Sequence, residues 1–339
     1  MRFRLTTIAY VFALLAAGMA AFGGGVGIWA AVGVLGFWGW NSYATARPPA
    51  AVGCAVYAVL ALMLLALLLP AVSSVREAAR HISCMSNLKQ IALGLLNHVD
   101  ATGSLPAEAT YDAKGAALHS WRTSILPYLE QQALHKRLKH EEPWNSARNS
   151  PLTAATQIDL YQCPSHYGSP STAHYFAVVG ERTAWPKGRG RKDDELRDDA
   201  EFTLLVLEAP LRQATWAEPV DFTLEEAVDY LSREPDRAAG MHEVQHGFFY
   251  KPSWAINAAF LDGRVRTLHL PLSRELAIAM LTVDGGEEID ETALEETRAA
   301  ELDYEKCYAF LAFVTLALLP GGVRLFRRAK RGVGSPASC

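Results

Sequence analysis

From Ala51 to Val72 the chain carries no charged residue. As a helix, a run of that length would cross the roughly 30 Å hydrocarbon core of a bilayer. Beyond Pro70 the pattern changes without requiring the helix to stop. Val75, Ala79, Ile82, Leu88, Ile91, Leu95 and Val99 recur at three- and four-residue spacing, with one step of six, which describes one apolar stripe on a helix. The pattern therefore predicts one long helix, from residue 51 to about 99, apolar first and amphipathic afterwards. A shorter helical segment is predicted near Ser124 to Lys139, with short strands at Tyr175 to Val179 and Thr203 to Leu207. Ala255 to Leu270 reads as a hairpin, with Asp262-Gly263 between two β-type runs as a tight type I′ turn demands. On this reading Asp262 and Gly263 are turn residues, and Asp262 is not a catalytic acid. The expected class is α+β, a long N-terminal membrane-to-ectodomain helix packed on an antiparallel sheet.

Further apolar runs add to this picture. Leu5 to Ala21 and Val26 to Trp40 flank Gly23-Gly24-Gly25, and Cys307 to Val323 precedes a basic tail beginning at Arg324. The first two runs read either as a helical hairpin turning at the glycines or as one span. With the hairpin, the positive-inside rule places the N terminus, Arg47 and the tail in the cytoplasm and residues 73–306 outside. That predicts additional transmembrane helices and a multi-pass inner-membrane protein with the lipid bilayer as a partner. The chain then divides into a membrane region (1–47), the long helix (48–100), an extracytoplasmic α+β domain (101–290), an acidic tether (291–306), a last span (307–323) and a cytoplasmic tail (324–339). Its 339 residues are 50% hydrophobic with a net charge of −4, a balance that argues against a nucleic-acid partner. The run Pro186 to Asp199, PKGRGRKDDELRDD, reads as a solvated loop.

Several motifs occur in order along the chain. They are LLLPAVSSVREAARHISCMSNLKQIALGLLNHVD, then Ser120-Trp121-Arg122 with LPYLEQ, then Cys163-Pro164-Ser165, then Ala259 to Val265 (AFLDGRV), and finally Leu281 to Glu287 (LTVDGGE). Together they resemble a planctomycete-type prepilin-like family of unknown function, over about residues 60 to 290. The resemblance implies a pilin-like fold, a structural or binding role, and other pilin-like or cell-envelope proteins as partners. Two departures matter. Counting back from Pro70, Pro48 stands where the family's prepilin signal has its Gly, and Gly53 stands where it has its Glu. Processing by a prepilin peptidase is therefore not expected.

Of five cysteines, only Cys84 and Cys163 fall in the expected ectodomain. In an oxidising compartment they are a disulfide candidate; the other reading is two free buried thiols. One motif points to an enzyme. His242-Glu243-Val244-Gln245-His246 fits H-E-x-x-H, in which two histidines one helical turn apart bind zinc and the Glu serves as general base. A helix over Asp236 to His246 would carry it, and Glu275 is a candidate third ligand. The family resemblance offers a different role, with His246-Gly247 in the place of a His-Pro-Gly-Gly-like turn and Glu243 a surface charge. No cofactor is expected for a structural protein, and zinc is expected for a metallopeptidase.

Overall fold

The computed structural model describes residues 5–43, 50–166, 169–192, 195, 200–234, 242–244, 247–285, 289 and 300–332. Two compact units emerge. The first holds residues 1–76, 247–251 and 301–339; the second holds 77–246 and 252–300.

In the first unit, α1 (Leu5–Phe22) and α2 (Gly24–Tyr43) are separated by Gly23 alone. Gly23 takes φ 81°, a left-handed conformation that costs a residue without a Cβ little. The two helices approach closely where Gly18 faces Gly27. A Cβ on Gly18 would stand 2.7 Å from the Gly27 carbonyl oxygen. Leu14, Ala31 and Phe313 are buried together, and the Tyr10 hydroxyl donates to the Leu316 carbonyl at 2.9 Å.

Among the described residues no helix is long and apolar enough to cross a membrane. This corrects the expectation of additional transmembrane helices, and with it the placement as a multi-pass inner-membrane protein. A span needs about 20 consecutive apolar residues. Helix α1 has 18 residues, at the short end of that need, and glycines and tryptophans dilute α2. The side chains of residues 51–75, where the longest apolar run lies, are outside the described residues, as are Pro48, most of the acidic tether and the end of the basic tail.

The second unit begins within α3 (Ala50–Thr102), a continuous helix of 53 residues. Past it lie β1 (Ala109–Tyr111), β2 (Ala117–Ser120), and the short helices α4 (Trp121–Ser124), α5 (Gln132–Arg137) and α6 (Ser150–Ala155). The segment predicted as one helix over 124–139 is thus broken. Pro127 falls in a 3₁₀ turn over Leu126–Leu129, and Glu130 closes that turn with φ 60°. Short strands β3 (Tyr175–Phe176) and β4 (Val178–Val179) precede β5 (Leu204–Glu208), β6 (Phe222–Thr223) and α7 (Leu224–Ser232). The unit closes with β7 (His242–Val244), β8 (Ser253–Phe260), β9 (Val265–Leu270) and α8 (Arg274–Leu281). The C-terminal helix α9 (Tyr304–Gly332) belongs to the first unit.

The main sheet is antiparallel and centred on β8. One edge of β8 pairs with β9; the other pairs with β5 along one half and β7 along the other, and β3 lies beyond β5. All five residues of β5 are buried, as expected of a strand covered on both faces. On one side Leu205, Val206 and Ala259 pack with Cys84, Leu88, Ile91 and Leu95 of α3. On the other, Leu204, Leu207, Ile256 and Phe260 pack with Val228 and Leu231 of α7 and Met280 of α8. An α+β class with an antiparallel sheet is therefore what the chain adopts. The β8–β9 hairpin departs from the expected type I′ turn. Phe260 donates to the Arg264 carbonyl, so Leu261, Asp262 and Gly263 form a three-residue loop. Only Gly263 has a positive φ, 79°, whereas type I′ needs two such residues in succession. Asp262 serves as a turn residue, its Oδ1 accepting the Arg264 N–H at 2.8 Å.

Candidate functional site

Glu77, His81 and Cys84 stand at positions i, i+4 and i+7 of α3, and this spacing sets them on one helix face. Opposite them the sheet presents Glu208 at the end of β5, His242 at the start of β7, Asn257 in β8 and Thr267 in β9. The loop after the 3₁₀ turn Asp159–Tyr161 brings in Cys163. The register explains the convergence. Asn257 is paired with Thr267, and His242 sits across from Ala255, two residues before Asn257 on β8.

Cys84 and Cys163 form a disulfide with Cα atoms 5.2 Å apart, and both residues are fully buried. His242 Nε2 lies 3.7 Å from Cys163 Sγ and 3.2 Å from Glu208 Oε1. The other ring nitrogen, Nδ1, lies 3.3 Å from Glu77 Oε1. Glu208 is itself fully buried. Its second oxygen accepts from the Asn257 backbone N–H at 3.1 Å and from the Asn257 side-chain amide at 3.0 Å. Asn257 Oδ1 then accepts from the Thr267 hydroxyl at 3.0 Å and meets His81 Nε2 at 2.9 Å. Glu77 is held from outside by Ser165, whose hydroxyl donates at 2.6 Å, and by Arg80 at 3.1 Å.

The imidazoles of His81 and His242, with ring centroids 4.6 Å apart and planes tilted by 49°, are pushed in opposite directions. Burial would lower the pKa of His242, but hydrogen bonds and charge from Glu208 and Glu77 outweigh it and raise the value. Burial, with the neighbouring His242, lowers His81. Burial opposes ionisation of Glu77, yet Ser165, Arg80 and His242 together hold it below its ordinary value. The arrangement is a carboxylate–imidazole–carboxylate chain beside a disulfide, buried at Glu208 and His242 and partly exposed at Glu77. Four groups, Cys84, Cys163, Glu208 and His242, offer metal-ligand atoms that all lie within 4.8 Å of one another.

The candidates from sequence divide accordingly. Cys84 and Cys163 are brought together. His242 enters the cluster on a strand, because His242–Val244 pairs with β8 instead of continuing a helix from Asp236. Glu243 sits opposite Trp254 in that ladder, His246 lies outside the described residues, and Glu275 is exposed in the first turn of α8. Glu77, His81, Glu208 and Asn257 escape a sequence reading. The one available signal is the i, i+4, i+7 series Glu77, His81, Cys84, which continues through Leu88 and Ile91 along the buried face.

His174 lies next to the cluster and gives a pH test. Its Nδ1 accepts the Cys163 backbone N–H at 2.9 Å. Burial first, and then His166, pushes its pKa down to about 4. The unfolded imidazole takes up a proton near pH 6.5, whereas the folded one stays neutral until about pH 4. Its contribution to stability is therefore complete above about pH 6.5 and is lost as the pH falls towards 4. His81, His119 and His135, also lowered, act in the same sense. His242, raised, acts oppositely, losing its contribution as the pH rises through its folded value. Urea midpoints should fall between pH 6.5 and 4, and His174→Asn, whose Oδ1 can take the same N–H, should flatten that fall. An unchanged slope in the variant would refute the assignment.

Against known proteins, a family model described as a protein of unknown function, DUF1559, matches residues 73–270. The match covers more than half of the chain. The chain belongs to the DUF1559 family. No curated protein and no solved structure matches it. The DUF1559 match begins just before Glu77 and ends at Leu270, so it takes in every residue of the buried cluster.

Proposed function

We propose that this DUF1559 protein is a pilin-like structural or binding protein, in which the sheet domain is fixed to the second half of a long helix and the helix's outer face engages a partner. The observation that supports this reading is the two-sidedness of α3. Cys84, Leu88, Ile91 and Leu95 are fully buried against the sheet, while Ile82 and Leu93 remain 66% and 46% exposed. A long helix with one face under an antiparallel sheet and apolar residues on the other is how a pilin-like subunit is arranged for association. The partner is another pilin-like or cell-envelope protein with a helix of the same kind. The metallopeptidase alternative needs both histidines of H-E-x-x-H on adjacent turns of one helix, and the extended backbone at His242–Val244 does not favour it.

The reading is tested by placing a photo-cross-linking amino acid at position 82 or 93 of the full-length chain in cells. A discrete adduct to a pilin-like protein or a second copy is expected from both positions. Absence of adducts from two well-folded variants, or peptide hydrolysis that disappears in Glu243→Gln, would refute it.

A further inference from the structure

A structural disulfide needs no polar company, since its sulfur atoms are satisfied by apolar packing. The Cys84–Cys163 pair nevertheless has a buried imidazole and a buried carboxylate aimed at it, and each of these is held by its own partner. Buried charged groups are found paired or coordinating metals, and here the pairing has the form of a metal site. His242 turns Nε2 towards the sulfur and Glu208 and gives Nδ1 to Glu77. That is the carboxylate–histidine arrangement which fixes tautomer and ring orientation in metal centres. Glu208 likewise turns Oε1 inward while Oε2 is held by two N–H groups of Asn257.

Two of the donor separations are close to those of a tetrahedral zinc site. In a tetrahedral zinc site, with Zn–S about 2.3 Å and Zn–N or Zn–O about 2.0–2.1 Å, neighbouring donors lie about 3.3–3.8 Å apart. Cys163 Sγ to His242 Nε2 is 3.7 Å, and His242 Nε2 to Glu208 Oε1 is 3.2 Å. The two sulfurs, bonded to each other, are too close for that geometry, and all four donor atoms lie within 4.8 Å of one another. Two thiolates, an imidazole and a carboxylate make a donor set suited to Zn²⁺.

We propose that Cys84, Cys163, Glu208 and His242 form a redox-gated zinc site, closed as a disulfide and opened to one Zn²⁺ by a dithiol reductant. The proposal goes beyond the binding role above and does not depend on it. In the first step the disulfide takes two electrons and two protons from the dithiol, giving two cysteine thiols and the reductant's own disulfide. In the second step Zn²⁺ replaces the two thiol protons, which pass to solvent, and His242 and Glu208 complete the coordination. Metal affinity is pH-dependent for the same reason, because the ligands must lose protons to bind. Oxidation runs the sequence backwards and expels the ion.

The test uses the full-length chain, zinc chloride and a phosphine reductant, followed by gel filtration and elemental analysis. About one zinc per chain should remain on the reduced protein and none on the oxidised protein. Co²⁺ in place of zinc should give thiolate-to-cobalt charge-transfer absorption only after reduction. Glu208→Gln removes a ligand charge while leaving an acceptor for Asn257. Glu77→Gln, at a partly exposed position, should weaken zinc binding about 10- to 100-fold with the far-UV spectrum unchanged. If Glu208→Gln does not fold, Glu77→Gln carries the test. If the reduced protein unfolds without metal, the proposal requires zinc to restore its near-UV spectrum. A reduced chain that neither retains zinc nor is refolded by it overturns the site. So does an affinity that is unchanged in both variants, since two thiolates alone would then account for the binding.

Discussion

Replacing Cys84 and Cys163 together with alanine is expected to lower the stability of the sheet unit by about 4 kcal/mol. The two cysteines are 79 residues apart, and in the chain-entropy description a closed loop of that size restricts the unfolded chain by about that amount. Native contacts should change little. Asn87 of α3 donates its side-chain amide to the carbonyls of Asp159 (3.2 Å) and Gln162 (2.9 Å), holding the same loop without the sulfurs. The effect should therefore appear as a lower denaturation midpoint with an unchanged native spectrum. In a unit of this size it corresponds to a Tm lower by about 8–16 °C. Urea denaturation of the alanine pair beside the oxidised parent measures it. A difference under about 1 kcal/mol would mean that the disulfide constrains little that other contacts do not already hold. The variant should also bind no zinc, reduced or not.

The helix face shows where sequence and structure part. Counting apolar residues picks out 75, 79, 82, 88, 91, 95 and 99, and among these Leu88, Ile91 and Leu95 are fully buried. Ile82 is not. The helix face that meets the sheet passes instead through Glu77, His81 and Cys84, and apolar periodicity discards the first two as polar. They face inward because the sheet opposite them is polar at that level, with Glu208, His242 and Asn257 in place. Nothing local to α3 announces that. Glu208 ends a run of buried residues, LLVLE, and reads alone as the exposed end of a strand. It is buried because β5 stops beneath α3. The start of the H-E-x-x-H string departs from the expected helix for a related reason. Its residues 242–244 are drawn into the ladder by β8, whose Ser253 to Ala255 pair with them, so tertiary pairing overrides the helical backbone that the motif's spacing suggests for those three residues. The hairpin was legible from Asp262-Gly263, but the loop is one residue longer than the expected turn because Phe260 and Arg264 close it.

The Ser120-Trp121-Arg122 motif supplies the second large expected effect. Ser120 caps α4 and takes Arg122 Nη1 at 2.7 Å. Arg122 is fully buried, and its Nη2 meets Asp221 Oδ1 at 2.9 Å, where the aspartate side chain is 3% exposed. Nε and Nη2 both donate to the Tyr175 carbonyl, at 3.0 and 2.7 Å. The guanidinium lies 4.8 Å from the ring centres of Trp121 and of Phe176, in contact with apolar faces that favour a cation. Asp221 Oδ1 also accepts the Trp121 indole N–H at 3.2 Å and the Ala177 N–H at 2.8 Å. One ion pair thus ties α4, β3 and the approach to β6 together. Arg122→Met fills nearly the same volume but leaves a buried carboxylate without its counter-charge and the Tyr175 carbonyl without donors. Removing one partner of a buried pair costs about 3–5 kcal/mol, and that loss is expected here by urea denaturation. The charge origin of the loss is separable from packing by a cycle with Asp221→Asn, which keeps an acceptor for Trp121 and Ala177. The double variant should be distinctly more stable than the two single losses added together, because the second change removes the charge that the first one stranded. Simple additivity would show that Arg122 acts through its packing between the two aromatic rings and not through Asp221.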